Sequence, residues 1–328
     1  MNVGSGCLPW TATKDTHHPL ILAPMAGISH GAFRRLVEET APFDLYFSEM
    51  ISAGPLLSQG RFETYYTDSY PAPHRVVYQL LSPRADLLVA AAGRLAELRP
   101  GGIDVNFGCS APEVVRNGGG IAWLRRPEEA LEALRGVASA ITPLPLSVKL
   151  RLPEGYRPET MEAFLSALPE SGVAAVTIHP RHQRQSYSRP SHRSILNRLA
   201  AASPIPVVAS GDICDRSSFD AVRRIPGIAG TMIGRGAIAR PWITRVLRGT
   251  NGESVPRWEL AKRFFGLLES YQPEEFWVSR SRRFLTYFLG AVPFGRRLAA
   301  QLQEESEYPT IRREAVAFLR RQVPETSL

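Results

Sequence analysis

The sequence predicts an α/β protein, a (β/α)8 TIM barrel followed by a C-terminal all-helical domain. Three observations support this fold class. Short and almost continuously apolar segments alternate with helical segments, which is typical of a parallel sheet covered on both faces. About eight such repeats occupy roughly 240 residues, which fits a closed barrel better than an open sheet. After Gly249 the strand pattern stops, and apolar residues recur at helical spacing.

The predicted strands begin with an apolar run that ends at Pro24. Each later strand is a run of mainly apolar residues, bounded by helical segments or by glycine and proline. In chain order the expected strands are 20–23, 43–48, 75–80, 103–106, 146–150, 174–178, 206–209 and 228–233.

Helices are expected between these strands. The apolar period over residues 85–98 predicts a helix, which Pro100 and two glycines end. Pro127 suits a first helical position, and the helix that it opens is expected to reach about residue 140. Asp215 is expected to cap the helix that precedes the last strand. The other expected helices cover 30–39, 159–170 and 191–201.

We expect three segments, namely an N-terminal tail over 1–18, the barrel over 19–248 and the helical domain over 249–328. No apolar run approaches the roughly 20 residues that span a bilayer. The N-terminus lacks a secretory apolar segment. We therefore expect a cytoplasmic protein without a membrane segment, and we expect it to be monomeric.

Cysteine and histidine usage argues against a metal site or a disulfide framework. The three cysteines are widely spaced and odd in number. The histidine pairs 17–18 and 179/182 have no carboxylate or cysteine at ligand spacing. We predict that no metal is bound.

The charge balance favours a polyanionic partner. The formal net charge is +8 and the pI is about 9.7. Only three of the 39 basic residues are lysines. One of them, Lys149, stands inside an apolar strand, where a lysine differs from an arginine in size, shape and proton affinity.

The most informative stretch runs from Asn106 to Cys109 at the end of a predicted strand. A glycine-rich loop follows, through the three glycines at 118–120. A cysteine that must reach a substrate needs such a mobile loop. The alternative is a structural thiol, because free cysteine is often a small buried hydrophobe.

The residues at the predicted strand ends are the candidate functional residues, because the chemistry of a barrel lies on the loops at the carboxyl ends of its strands. The set as a whole is hard to explain by packing. Its members are Ala23 to Gly27, Ser48 to Met50, Gln79, Asn106, Cys109, Lys149, Arg151, His179, Arg181, Ser210 to Asp212 and Gly234 to Gly236.

The last two strand ends predict a phosphate site. Gly211 and the glycines at 234 and 236 allow backbone amides to approach a phosphate closely, and Arg235 supplies a positive charge. A barrel commonly holds phosphate after strands seven and eight. The same residues match a dinucleotide pattern, but no strand follows the helix, so no βαβ unit surrounds it.

These motifs together resemble the tRNA-dihydrouridine synthases. The resemblance covers about 20–248, and the helices after 250 resemble that family's tRNA-binding domain less specifically. The matching segments are Ala23-Pro24-Met25-Ala26-Gly27 with Phe33-Arg34, Ser48-Glu49-Met50, Asp104 to Cys109, Val148 to Arg151 and Met232 to Gly236. The resemblance implies FMN on the barrel, tRNA as substrate and NADPH or NADH as electron donor. The implied reaction is reduction of the C5–C6 bond of particular uridines to 5,6-dihydrouridine.

The resemblance also implies residue roles. Cys109 would donate the proton to C5 after hydride reaches C6, Lys149 would face the N1–C2 edge of the flavin, and Gln79 would bond the polar edge of the ring. Asn106 would hold the uracil, with Arg181 near the flavin or the substrate. The implied cofactor-binding residues are Pro24, Met25, Ala26, Gln79, Lys149, His179, Ser210, Gly211, Asp212, Gly234 and Arg235.

Some positions depart from the family's pattern. Ser110 stands where proline is usual, and Val114-Val115-Arg116 occupy the stretch where a lysine is usual. Pro180 stands where glycine is usual, and Ser210 where asparagine is usual. Two alternatives stay open. One is another FMN-dependent barrel reductase that acts on a small molecule, and the other is a non-catalytic relative that binds flavin or RNA.

The C-terminal helices carry basic doublets, and Arg280, Arg283 and Tyr287 are expected on one exposed side of a helix. We expect the two arginines to contact tRNA, because cations beside an aromatic ring suit a phosphate backbone and an unstacked base. The alternative is a solvated face that is balanced by nearby glutamates.

Overall fold

The computed structural model describes residues 18–250 and 255–322. All but the last residue of the segment expected as a tail over 1–18 lies outside the described residues. Residues 251–254 and 323–328 also lie outside them.

Eight parallel strands form a closed barrel in which each strand pairs with its neighbours in chain order and β8 pairs with β1. This confirms the (β/α)8 prediction. The strands are β1 Leu20–Leu22, β2 Leu45–Ser52, β3 Val76–Leu81, β4 Gly102–Phe107, β5 Leu146–Leu152, β6 Val173–His182, β7 Val207–Ser210 and β8 Ile228–Ile233.

Strands β2, β5 and β6 end later than the apolar pattern predicts. Strand β6 continues past Ile178 to His182, and its pairing with β5 includes His179 opposite Arg151. The apolar run stops where side chains begin to face the site, whereas the hydrogen-bond ladder continues for several residues. The polar ends of these strands therefore carry site residues on a rigid element.

Helices cover the barrel and lie in the loops at its carboxyl end. They are α1 Gly31–Thr40, α2 Ala53–Leu57, α3 Glu63–Tyr66, α4 Ala85–Ala96, α5 Pro112–Arg116, α6 Pro127–Ile141, α7 Pro158–Ala167, α8 Ile195–Ala202, α9 Arg216–Arg223, α10 Arg235–Ala239 and α11 Ile243–Arg248. Asp215 caps α9 through a capping box with Ser218. Helix α8 begins at Ile195, later than expected, and the amide of Ser191 before it donates to Asp212 (2.7 Å).

Four further helices follow the barrel and pack on it. They are α12 Arg257–Tyr271, α13 Trp277–Phe288, α14 Gly295–Glu304 and α15 Tyr308–Arg321. Helix α12 lies against α1. Phe284 stacks on Phe264 with 3.9 Å between ring centroids and also meets Phe33 of α1. The apolar core is therefore continuous between the barrel helices and the C-terminal helices.

Among the described residues, no helix is both long and apolar enough to cross a membrane. The same residues contain no group of three or more histidine, cysteine, aspartate or glutamate side chains that could hold a metal ion.

Candidate active site

A pocket of about 1050 Å³ opens at the carboxyl ends of the strands. The structure brings most of the predicted site residues together around it. Those that line it are Pro24, Met25, Ala26, Asn106, Cys109, Lys149, His179, Ser210, Gly211, Asp212, Gly234, Arg235 and Arg283. Gln79, Arg181 and Arg280 are not among the lining residues.

The Cys109 loop is held by hydrogen bonds at both of its ends. The side-chain oxygen of Asn106 accepts from the amides of Gly108 (3.0 Å) and Cys109 (2.7 Å). The Cys109 carbonyl accepts from the amide of Ile121 (2.9 Å). Gly120 has φ of +57°, and a Cβ there would lie 2.5 Å from the Cys109 carbonyl oxygen. Only glycine fits this turn without displacing the loop.

Cys109 places its thiol at the wall of the pocket. Its thiol is half-buried and free, and burial raises its pKa. The thiol therefore stays protonated at neutral pH. A protonated thiol at the wall of a pocket can deliver a proton to a bound substrate.

Lys149 places an ammonium in the same pocket. It lies on β5 opposite Asn106 of β4, and burial lowers its pKa to about 8, although Asp104 acts in the opposite direction. Among the described residues the ammonium of Lys149 has no hydrogen-bond or ion-pair partner. A partly buried and unpaired ammonium suits an anion or a group on which negative charge develops.

Gln79 corrects one expectation from the sequence. The sequence places it at the polar edge of a cofactor ring, but its side chain is fully buried below the pocket. It donates to Asp104 (2.7 Å) and accepts from Asn106 (2.8 Å). In this structure the amide of Gln79 therefore faces Asp104 and Asn106 rather than the pocket, and its contact with a cofactor stays a prediction.

Arg181 is a second correction. It is fully buried, and its guanidinium donates to the carboxylate of Asp212 (2.7 and 2.9 Å) and to the carbonyl of Ser186 (2.6 Å). Such a group cannot also reach a substrate. Arg181 instead ties the loop after β6 to the end of β7.

Asp212 joins several parts of this end of the pocket. Its carboxylate also pairs with Arg235 and accepts from the amide of Ser191. Arg235 is partly exposed and donates to the carbonyl of Tyr187 (3.1 Å). The ionic contacts of Asp212 therefore fix two arginines beside the predicted phosphate site.

The glycine turn after β7 is tightly packed. Gly211 has φ of +114°, and a Cβ there would lie 2.7 Å from the ring of His179. Burial, followed by the charge of Lys149, lowers the pKa of His179 to about 2. The imidazole is therefore neutral at physiological pH. It packs so closely on the backbone of residue 211 that only glycine fits there.

Tyr187 is a pocket residue that the sequence did not predict. It is 53% exposed, and the guanidinium of Arg235 lies 4.6 Å from its ring centroid. The guanidinium groups of Arg151 and Arg181 lie at 5.4 and 5.2 Å. Because Tyr187 stands in a polar loop between β6 and α8, no periodic pattern marks it.

Arg280 is a third correction, since the sequence predicts it on an exposed face. It is buried, with Nη2 3.0 Å from Oε2 of Glu49, and each side chain is 4% exposed. The other oxygen of Glu49 accepts from the amide of Gly27. Arg280 lies four residues before Phe284, so both face the core from the same side of α13. That spacing is present in the sequence and was the available signal.

Arg283 does lie at the surface. Its Nη1 donates to the carbonyl of Ala26 (3.2 Å), and it borders the pocket together with Thr286 and Tyr287 of the same helix. Helix α13 therefore forms one side of the pocket mouth. Thr286 was not predicted, although its spacing from Arg283 places it on the same face.

A closed parallel barrel with a free thiol, an unpaired ammonium and a tight glycine turn at its carboxyl end defines a class, the (β/α)8 barrel enzymes. The model of the dihydrouridine synthase family matches residues 21–275 of this chain. The chain belongs to the dihydrouridine synthase family.

Individual relatives agree with that assignment. The tRNA-dihydrouridine(16) synthase of Cupriavidus necator is 32% identical over 253 residues, which cover 74% of this chain and 78% of that protein. A probable tRNA-dihydrouridine synthase of Aquifex aeolicus is 28% identical over 286 residues, which cover 85% of this chain and 89% of that protein.

Among solved structures, a complex of 2-naphthoyl-CoA reductase with 2-naphthoyl-CoA matches with a TM-score of 0.52 at 13% identity. The match covers 71% of this chain and 50% of that one. At this identity the match shows a shared fold only.

Proposed function

We propose that this protein reduces particular uridines of tRNA to 5,6-dihydrouridine, with bound FMN and with NADPH or NADH as the electron donor. Membership of the dihydrouridine synthase family supports the reaction. The observation that carries the proposal is that Cys109 and Lys149 line the same pocket. A protonated thiol and an unpaired ammonium are the two groups that such a reduction requires beside a flavin.

The pocket residues fit a flavin mononucleotide. A volume of about 1050 Å³ is at the upper end of the range for cofactor and ligand sites. The Lys149 ammonium would hold the N1–C2 edge of the ring, where negative charge accumulates on reduction. The turn at Gly211 and the cation of Arg235 would hold one phosphate. Pro24, Met25 and Ala26 would lie beside the ring.

The residues of this chain supply the proton and the orientation. Bound FMN, in its reduced form, would supply the hydride for C6 of the uracil. The thiol of Cys109 holds the proton that C5 requires, and burial keeps that proton in place at neutral pH. Neutral His179 packs under the turn at Gly211 and adds no charge to the site.

We further propose that residues 19–248 form the catalytic unit and residues 249–328 the tRNA-binding unit. Arg283 and Tyr287 line the pocket mouth from the helical segment, and the net charge of +8 favours a polyanion. Arg283 would contact a phosphate next to the target uridine. The monomeric state and the cytoplasmic location stay predictions.

The test uses purified protein, tRNA that lacks dihydrouridine, and NADPH. We expect dihydrouridine to form in the tRNA, and nucleoside mapping would show at which position. Uridine 16 is examined first, because the relative from Cupriavidus necator is named for that position. Flavin released by heat should be FMN. Oxidation of the reduced flavin by small unsaturated molecules, but not by tRNA, would overturn the proposal in favour of a small-molecule reductase.

A further inference from the structure

Three neighbouring strands place polar side chains side by side inside the barrel. The strand register puts Gln79 of β3 opposite Asp104 of β4, and Asp104 opposite Ser147 of β5. The three residues are buried. Asp104 accepts from the Ser147 hydroxyl (2.6 Å) and from the side-chain nitrogen of Gln79 (2.7 Å). Buried polar groups need such partners, because water does not reach them.

The hydrogen bonds continue from Asp104 to the catalytic loop. The oxygen of Gln79 accepts from the side-chain nitrogen of Asn106 (2.8 Å). The oxygen of Asn106 then accepts from the amides of Gly108 and Cys109. A side-chain amide has one donor end and one acceptor end, whereas an ionised carboxylate only accepts. Each bond in the chain is therefore consistent with a single orientation of both amides.

We propose that Gln79 and Asp104 are positioning residues, which orient Asn106 so that its oxygen holds the backbone of Cys109. Asp104 takes the donor end of Gln79, and this leaves the Gln79 oxygen to receive the Asn106 amide. When the side-chain nitrogen of Asn106 is held in this way, its side-chain oxygen stays directed toward the Cys109 loop. Without Gln79, the Asn106 nitrogen loses its buried partner, and its oxygen is no longer held toward Cys109.

The inference goes beyond the proposed function, and its main test does not require the reaction. Gln79→Met removes both hydrogen bonds at nearly constant volume. The double variant Gln79→Glu with Asp104→Asn moves the carboxylate by one residue and restores every bond. Asn at 104 would accept from Ser147 and donate to the new carboxylate, which would accept from Asn106. Gln301→Met on the exposed side of α14 is the matched control for the change from glutamine to methionine.

The readout is the rate at which iodoacetamide alkylates Cys109 in the flavin-free protein, mapped by mass spectrometry. The exposed thiol of Cys214 serves as the internal reference. We expect Gln79→Met to raise the Cys109 rate relative to Cys214 about tenfold, the equivalent of roughly one hydrogen bond. The double variant and Gln301→Met should alkylate at the native rate. A second readout is single-turnover uridine reduction, which should fall in Gln79→Met.

A native Cys109 rate in Gln79→Met would overturn the inference. So would a double variant that alkylates as fast as Gln79→Met, or that fails to fold. If Gln79→Met itself fails to fold, the double variant still decides, because native alkylation there requires the restored bonds. If the variants give the expected alkylation pattern but the native protein does not reduce tRNA, the proposed function fails and the positioning role stands.

Discussion

Replacing Arg280 by methionine tests the buried ion pair between helix α13 and the end of strand β2. The Nη2 atom of Arg280 lies 3.0 Å from Oε2 of Glu49, and both side chains are 4% exposed. Removing one partner leaves Glu49 as a buried and unpaired charge. Loss of one member of such a pair costs about 3–5 kcal/mol. We therefore expect Arg280→Met to lower the free energy of unfolding by about that amount.

The pH dependence of this loss has a definite sign. Burial raises the pKa of Glu49, and Arg280 acts in the opposite direction. Without Arg280 the pKa of folded Glu49 rises further. A carboxyl whose folded pKa is raised binds its proton more tightly in the folded protein, so stability falls as the pH rises through that pKa. The deficit of Arg280→Met should be small below the ordinary Glu pKa of 4.5 and should grow above it.

Urea unfolding of the native protein and the variants at several pH values measures these effects. Glu49→Gln combined with Arg280→Met should recover much of the loss, because the buried charge is gone. Arg263→Met is the matched control, since its ion pair with Glu39 is 54% and 39% exposed and is worth about 0–1 kcal/mol. Equal small losses at Arg280 and Arg263, or a deficit that shrinks as the pH rises, would refute the reasoning.

Three further predictions concern the site. Cys109→Ala should keep its flavin and still be reduced by NADPH, but its single-turnover uridine reduction should fall by about 10²-fold or more. Cys214→Ala is the control, and equal reduction rates in the two variants would show that Cys109 is not the proton donor. Arg235→Ala should weaken FMN binding by about 1.5–3 kcal/mol, measured by flavin fluorescence titration, because a charge-assisted phosphate contact is lost; unchanged FMN affinity contradicts this. Arg283→Ala should weaken tRNA binding and reduce its salt slope by about 0.9, the value for one phosphate contact. Arg263→Ala is the control and should leave the salt slope unchanged. An unaltered salt slope in Arg283→Ala would show that Arg283 does not contact a tRNA phosphate.

Much of the site could be predicted from the sequence because barrel geometry converts chain order into position. Each strand ends at the same rim, so polar residues after apolar runs had to meet there. Cys109, Lys149 and Gly211 were found in this way, and all three line the pocket. The cap of α9 at Asp215 was equally local, since a capping box needs only residues within one turn.

The three corrected residues share a different cause. Arg280, Arg181 and Gln79 are polar, and a sequence pattern alone assigns such residues to the surface or to a ligand. Each is instead buried against a partner that is distant in the chain. The spacing of Arg280 from Phe284 was a usable signal for burial. No signal in the sequence identified Glu49 as the partner of Arg280.

The sequence by itself determined the barrel, the helical segment after it and the set of residues at the barrel's rim. These follow from periodicity and chain order, which are local properties. Only the tertiary structure decided which polar groups face the pocket and which face one another. Glu49 lies 231 positions before Arg280 in the numbering (280 minus 49), and Asp212 lies 31 positions after Arg181. Burial leaves each of these groups unstable unless the fold brings its counter-charge to it, and no local pattern encodes that encounter.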